Sequence, residues 1–256
     1  MNLHINFELL LVVLLFGFTY TSSRFRIVKG SLADIKKMPY IVALIYDDCE
    51  HAFCGGSLVT MQIVVTAAHC LVKRAPNRIT VIAGVDNLMI TTTSSKVEST
   101  FHSCSFNPKT LQMDIGAVKL RTPFKESPWV QAIPLCNIDL KPGTEMHVSG
   151  WGSTNPYEED YQLLLRTTVR PITTEEICKT RFSFENQPIY KSMMCASNEG
   201  SGPCYGDSGG PGVVDGQLCG VVSLTWGDCA TYFYPTIYIN VTYIGVQRFI
   251  QNVIKC

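Results

Sequence analysis

Beyond residue 26 the chain is a succession of short β-branched runs, and this constrains the fold more than any other feature. The runs at 41–46 (Ile-Val-Ala-Leu-Ile-Tyr), 56–60 (Gly-Ser-Leu-Val-Thr), 63–66 (Ile-Val-Val-Thr) and 79–83 (Ile-Thr-Val-Ile-Ala) are separated by Gly, Pro, Asn or Asp. A second set occupies 145–149, 163–169, 212–214, 219–223 and 237–239. Short strands at such spacing, with turn residues between them, predict antiparallel barrels or sandwiches. The stretch 121–134 between the sets contains three prolines, Pro123, Pro128 and Pro134, and reads as an extended connector. Two β-units joined there are expected rather than one sheet, because strongly twisted sheets close or split. At the C-terminus the period changes: Val246, Phe249, Ile250 and Val253 fall on one face of a helix. No internal repeat is present.

Charge excludes several function classes. Lys+Arg number 21 and Asp+Glu 21 in 256 residues, so the net charge is zero. This lacks the basic footprint of a nucleic-acid or membrane-surface binder. Eleven dispersed cysteines are too many for an ordinary cytosolic enzyme and point to an oxidising compartment. The N-terminus agrees: Leu9 to Phe18 is a ten-residue apolar run, about half of what spans a bilayer, followed by Thr19, Thr21, Ser22 and Ser23. Residues 1–22 are therefore expected to be a signal peptide and the protein to be secreted and extracellular, with no membrane or nucleic-acid partner.

Three segments carry chemistry: Thr-Ala-Ala-His-Cys at 66–70, Asp-Ile-Gly-Ala-Val-Lys-Leu at 114–120, and Gly-Asp-Ser-Gly-Gly-Pro at 206–211. Each has an ordinary structural explanation alone, as a core histidine, a turn or cap aspartate, and a flexible loop. Together they supply the parts for acyl transfer. A serine hydroxyl needs an imidazole to take its proton, and the imidazole needs a carboxylate to hold its tautomer. Glycines beside the serine let backbone N–H groups approach a developing oxyanion. A zinc site on Cys49, His51, Cys54, His69 and Cys70 is the weaker reading, since no Cys-x-x-Cys pair or second cluster accompanies them. Asp86 is isolated, which disfavours a calcium loop, and no cofactor is expected.

In these segments and their order, the chain resembles the chymotrypsin-like serine proteases, from Arg26-Ile27-Val28-Lys29-Gly30 to the C-terminal helix. The resemblance implies an all-β fold of two six-stranded antiparallel β-barrels with a C-terminal α-helix. The first barrel would fill about 27–125, the second about 135–240 and the helix about 243–254, all within a protease domain spanning 27–256. It implies His69 as general base, Asp114 as its orienting carboxylate and Ser208 as nucleophile, with the N–H groups of Gly206 and Ser208 as oxyanion hole. It further implies a zymogen: residues 23–26 form a short propeptide, cleavage falls at Arg26-Ile27, and the new Ile27 ammonium pairs with Asp207.

By the same resemblance Gly202 lies at the base of the primary pocket, where trypsin-like cleavage requires an Asp. Ser223, Thr225 and Thr236 belong to its walls, and two threonines where glycines admit large side chains narrow the slot. The expected preference is elastase- or chymotrypsin-like, small aliphatic P1 residues first. Such an enzyme cannot readily cut its own Arg26-Ile27 bond, so a separate trypsin-like protease is the expected activator. Protein or peptide substrates and protein inhibitors are the other expected partners of a monomer. Leu224 departs from the Trp usual in the family at that place. Implied disulfides are Cys54–Cys70, Cys178–Cys195 and Cys204–Cys229. This leaves Cys49, Cys104, Cys136, Cys219 and Cys256 unassigned, at least one of them without an intrachain partner. The alternative function is a catalytically inactive homologue that binds partners on the same scaffold.

Overall fold

A computed structural model describes residues 30–47, 49–90, 93–155, 162–198, 200–229, 231 and 233–256. The expected signal peptide, the propeptide and the Arg26-Ile27 bond lie outside the described residues. Six strands close the first barrel: β2 (Ile41–Tyr46), β3 (Cys54–Leu58), β4 (Ile63–Thr66), β5 (Ile79–Ala83), β6 (Ser94–His102) and β7 (Gly116–Leu120). They pair in the order β2-β3-β4-β7-β6-β5, every ladder antiparallel. The unbroken apolar start of β2 has a reason. Val42 and Leu44 point into the barrel against Leu58, Val64, Val81 and Val118. Ile41 and Ala43, on the opposite face, pack against Ile82, Trp151 and Leu165. A strand covered on both faces has no need of polar alternation.

The second sheet contains β1 (Ser31–Leu32), β8 (Glu145–Gly150), β9 (Arg166–Pro171), β10 (Met193–Ala196), β11 (Pro211–Val214), β12 (Gln217–Leu224) and β13 (Thr236–Asn240). Its seven strands run β1-β9-β8-β11-β12-β13-β10. The six from β9 to β10 curl until Ile172, just past β9, bridges Ala196 on β10. Closure of this second unit is thus one bridge rather than a full ladder. β1 is an appended seventh strand, reaching across from the N-terminal side to pair Ser31 with Thr167.

The described residues also include three α-helices: α1 (Ala68–Leu71), α2 (Glu175–Ser183) and α3 (Ile244–Ile254). In α3, Val246 and Ile250 join the core of the second barrel, while Val253 sits with Ile63 and Ala117 of the first. One apolar face thereby straps the two barrels together, each buried side chain contributing about 1.5–3 kcal/mol. α2 was not anticipated from periodicity. Its start is set by the Thr174 hydroxyl, which accepts from the Ile177 N–H at 3.1 Å, and by Glu175 and Glu176 in the first turn.

The structure joins Cys54 to Cys70, Cys178 to Cys195 and Cys204 to Cys229, and it adds Cys136–Cys219. That last bridge ties the connector between the barrels to β12 of the second. Cys49, Cys104 and Cys256 are exposed free thiols. Among the described residues no helix is long and apolar enough to cross a membrane.

Candidate active site

His69 stands on the one-turn α1, directly after β4 hands the chain out of the first barrel. The Cys54–Cys70 bridge pins that turn to β3. Asp114 lies just before β7, where Leu111 and Met113 hold positive φ angles of 54° and 52° that turn the chain back into the seam. Ser208 comes from the loop before β11 of the second barrel. Its carbonyl accepts from the Gly55 N–H of β3 at 2.8 Å, so the two barrels are bonded at the serine itself. Gly209 makes that approach possible. Its φ is +79°, and a β-carbon there would collide with the Thr66 hydroxyl and the Gly55 carbonyl.

Asp114 is fully buried and receives three donors. The His69 N–H donates to Oδ1 at 2.8 Å, Nδ1 of the His69 ring lies 2.7 Å from Oδ2, and the Ser223 hydroxyl donates to Oδ2 at 2.6 Å. A carboxylate fixed at Nδ1 leaves Nε2 as the ring nitrogen free to take a proton. His69 and Ser208 line one cavity of about 280 Å³, together with Leu111, Cys204, Tyr205, Ser223, Leu224, Thr225 and Cys229. No hydrogen bond within 3.5 Å joins the Ser208 hydroxyl to His69 among the described residues. Two larger clefts, about 390 and 400 Å³, hold none of His69, Asp114 and Ser208.

The N–H groups of Gly206 and Ser208 have no acceptor among the described residues, whereas those of Asp207, Gly209 and Gly210 are all bonded. Two neighbouring unpaired donors beside a nucleophile can receive a negative oxygen. The intervening Asp207 turns away from the cavity. Its carboxylate is buried, accepting from the Gly152 N–H at 2.8 Å and the Cys204 N–H at 2.9 Å. Burial pushes its pKa up to about 6 against the pull of those two bonds.

Sequence reasoning placed Gly202, Ser223, Thr225 and Thr236 around a primary pocket, and the structure separates them. Ser223 and Thr225 line the cavity; Gly202 and Thr236 are buried and are not among the residues that line it. The Thr225 hydroxyl donates to the Pro203 carbonyl at 3.4 Å, next to Gly202 in the chain. Ser223 also has a part the sequence did not disclose, as a donor to Asp114. Cys54, His69 and Cys70 do cluster within 4.8 Å, but the disulfide occupies both sulfurs, so they form no zinc site.

Comparison with known proteins identifies the family of the chain. The family model for trypsin matches residues 27–247. Seminase of Drosophila melanogaster is 37% identical over 233 residues, covering 90% of this chain and 82% of its own. A trypsin of Xenopus laevis is 35% identical over 254 residues, covering 96% and 98%. Among solved structures, mouse neuropsin superposes with a TM-score of 0.79 at 27% identity, over 88% of this chain and 99% of its own. The scabies mite inactivated protease paralogue S-D1 gives a TM-score of 0.80 at 28% identity, over 88% and 96%. With a matching family model over most of its length, two barrels and a shared seam, the chain belongs to the trypsin family of serine proteases.

Proposed function

We propose that this chain is an active, secreted serine endopeptidase made as a zymogen. The observation that carries the proposal is the buried Asp114 carboxylate bonded to His69 at 2.7 Å, in a cavity that Ser208 shares. The Ser208 hydroxyl adds to the scissile carbonyl carbon while its proton passes to Nε2 of His69. The oxygen that becomes negative is received by the N–H groups of Gly206 and Ser208. Collapse breaks the C–N bond, the amine leaves with the proton from His69, and an acyl-enzyme ester remains. Water then repeats the sequence in reverse roles and releases Ser208. Each unpaired N–H of the hole is worth about 3 kcal/mol of transition-state stabilisation.

Activation fits the surroundings of Asp207. A buried carboxyl held by two backbone N–H groups, with its pKa raised by burial, gains from a cationic partner. Cleavage at Arg26-Ile27 supplies one, the new Ile27 ammonium. The slot narrowed by Thr225, with no acid at Gly202, excludes Arg and Lys at P1 and leaves room for slender side chains. Activation therefore depends on a separate trypsin-like protease. The disulfides accord with an extracellular protein, and we take the chain to act as a monomer open to protein inhibitors. The reading of an inactive binding homologue finds no support in the site, which keeps every group the chemistry uses.

The test is on purified zymogen cleaved by trypsin and then freed of it, with Ser208→Ala processed alongside. Peptide-library cleavage that vanishes in the variant is expected. No cleavage despite a confirmed Ile27 N-terminus would overturn the proposal, and self-activation of pure zymogen would overturn the separate activator.

A further inference from the structure

Beneath the pocket lies a buried cation that the mechanism does not use. Arg170, on β9, is fully buried, and among the described residues no carboxylate meets it. Its guanidinium donates only to main-chain carbonyls: Nη2 to Ala196 at 3.1 Å, Nε to Ala196 at 3.4 Å, and Nη1 to Ser201. Two carbonyls are a poor complement for a planar group with five N–H donors. An uncompensated buried charge costs several kcal/mol, which a purely structural apolar residue at the same place would avoid.

Its position gives it meaning. A β-carbon built on Gly202 would run into Nη1 and come within 2.7 Å of Cζ of Arg170. The guanidinium thus fills the space a side chain at 202 would take, the place where trypsin-like cleavage requires an Asp. If residue 202 stands at the base of the primary pocket, as the resemblance implies, the charge there is positive and comes from Arg170 on β9 instead of from residue 202. Two buried hydroxyls lie close by. Tyr238 lies close enough to feel the Arg170 charge and has the Thr236 hydroxyl near it. No hydrogen bond of normal geometry reaches either oxygen, and both are buried. Burial pushes Tyr238 up to about 12, so it remains an O–H donor. A guanidinium and two hydroxyls gathered without an anionic acceptor are a donor set awaiting one.

We propose that the primary pocket selects an acidic P1 residue, glutamate before aspartate, whose carboxylate pairs with Arg170 at the floor. This rests on the protease reading above and replaces the apolar preference that the walls alone imply. Thr225 sets the width and Arg170 the charge. Glutamate is favoured because the cation lies at the bottom, beneath the Thr225–Pro203 contact, which must open for the side chain to pass. That contact, at 3.4 Å, is at the long end of hydrogen bonding, so opening it costs little.

The experiment uses the activated full-length protein and matched peptides differing only at P1: Glu, Asp, Gln, Ala, Leu and Arg. Gln has the shape of Glu without its charge. A kcat/KM ratio of Glu over Gln of about 10–100 is expected, the worth of one desolvated charge-assisted pair. In Arg170→Gln the ratio should fall toward one. Because it is a ratio within one protein, partial loss of folded enzyme, which lowers both rates alike, does not move it. Equal rates for Glu and Gln, or Ala or Leu ahead of Glu, overturn the acidic pocket and leave the protease standing. If no peptide is cut and a fluorophosphonate fails to label Ser208, the protease reading falls and this one with it.

Discussion

Asp114 and Arg170 are both fully buried charges, and the molecule treats them oppositely. Asp114 receives three donors within 2.8 Å, from two different barrels. Arg170 has two main-chain carbonyls and, among the described residues, no carboxylate. The first network is complete before any substrate arrives, as orientation of a proton-accepting imidazole demands. The second is incomplete, as a recognition site must be if its ligand is to gain from binding. Buried polar groups that are satisfied hold geometry; those that are not mark where something else is to bind.

The largest way to break the finished network is Asp114→Asn. It keeps the shape and removes the charge, and kcat should fall by about 10⁴-fold, the loss known for neutralising this carboxylate in a Ser-His-Asp triad. Steady-state kinetics on trypsin-activated protein, with circular dichroism to confirm folding, would check it.

Asp207 offers a third buried charge and a pH test. Its folded pKa of about 6 lies above the ordinary 3.8, so the folded state holds the extra proton. Stability from this group is full below pH 4 and is lost as pH rises through 6, by about 3 kcal/mol. Urea melts of the uncleaved chain should show that loss, and Asp207→Asn should flatten it. After cleavage the new Ile27 ammonium should draw the pKa down and abolish the loss between pH 4 and 6.

Ser223→Ala sharpens the comparison from the complete side. It removes one of three donors to Asp114, and a drop of about tenfold in kcat is expected, with KM little changed. Tyr238→Phe sharpens it from the incomplete side and is the smallest effect. Deleting a buried hydroxyl without a partner should stabilise the free protein by about 1 kcal/mol, read as a rise in urea midpoint. A loss of similar size would show that Tyr238 is bonded after all.

Much of the fold, and the residues that the structure gathers into the candidate site, could be read from the residues in order. The β-branched runs located the strands because a half-buried pleated surface selects such residues locally. Val246, Ile250 and Val253 announced α3 by their spacing. Helix α2 escaped because its face is mostly exposed, with only Cys178 and Phe182 buried, and what marks it is the cap at Thr174. The second barrel's closure through Ile172 and Ala196, and β1 crossing to β9, depend on pairings far apart in sequence that no local pattern encodes.

By itself the sequence determined the chemical parts: His69, Asp114 and Ser208 in short segments whose residue types the reaction dictates, and Gly202 as a position without charge. Only the tertiary structure decided what fills the space Gly202 leaves empty. Arg170 is 32 positions away on another strand and looks like any arginine in a polar run. Its proposed role depends on the sheet turning it inward against residue 202. Ser223 is a wall residue in the sequence and a donor to Asp114 in the fold for the same reason. A side chain's chemistry is local, but its burial and its partners belong to the whole chain.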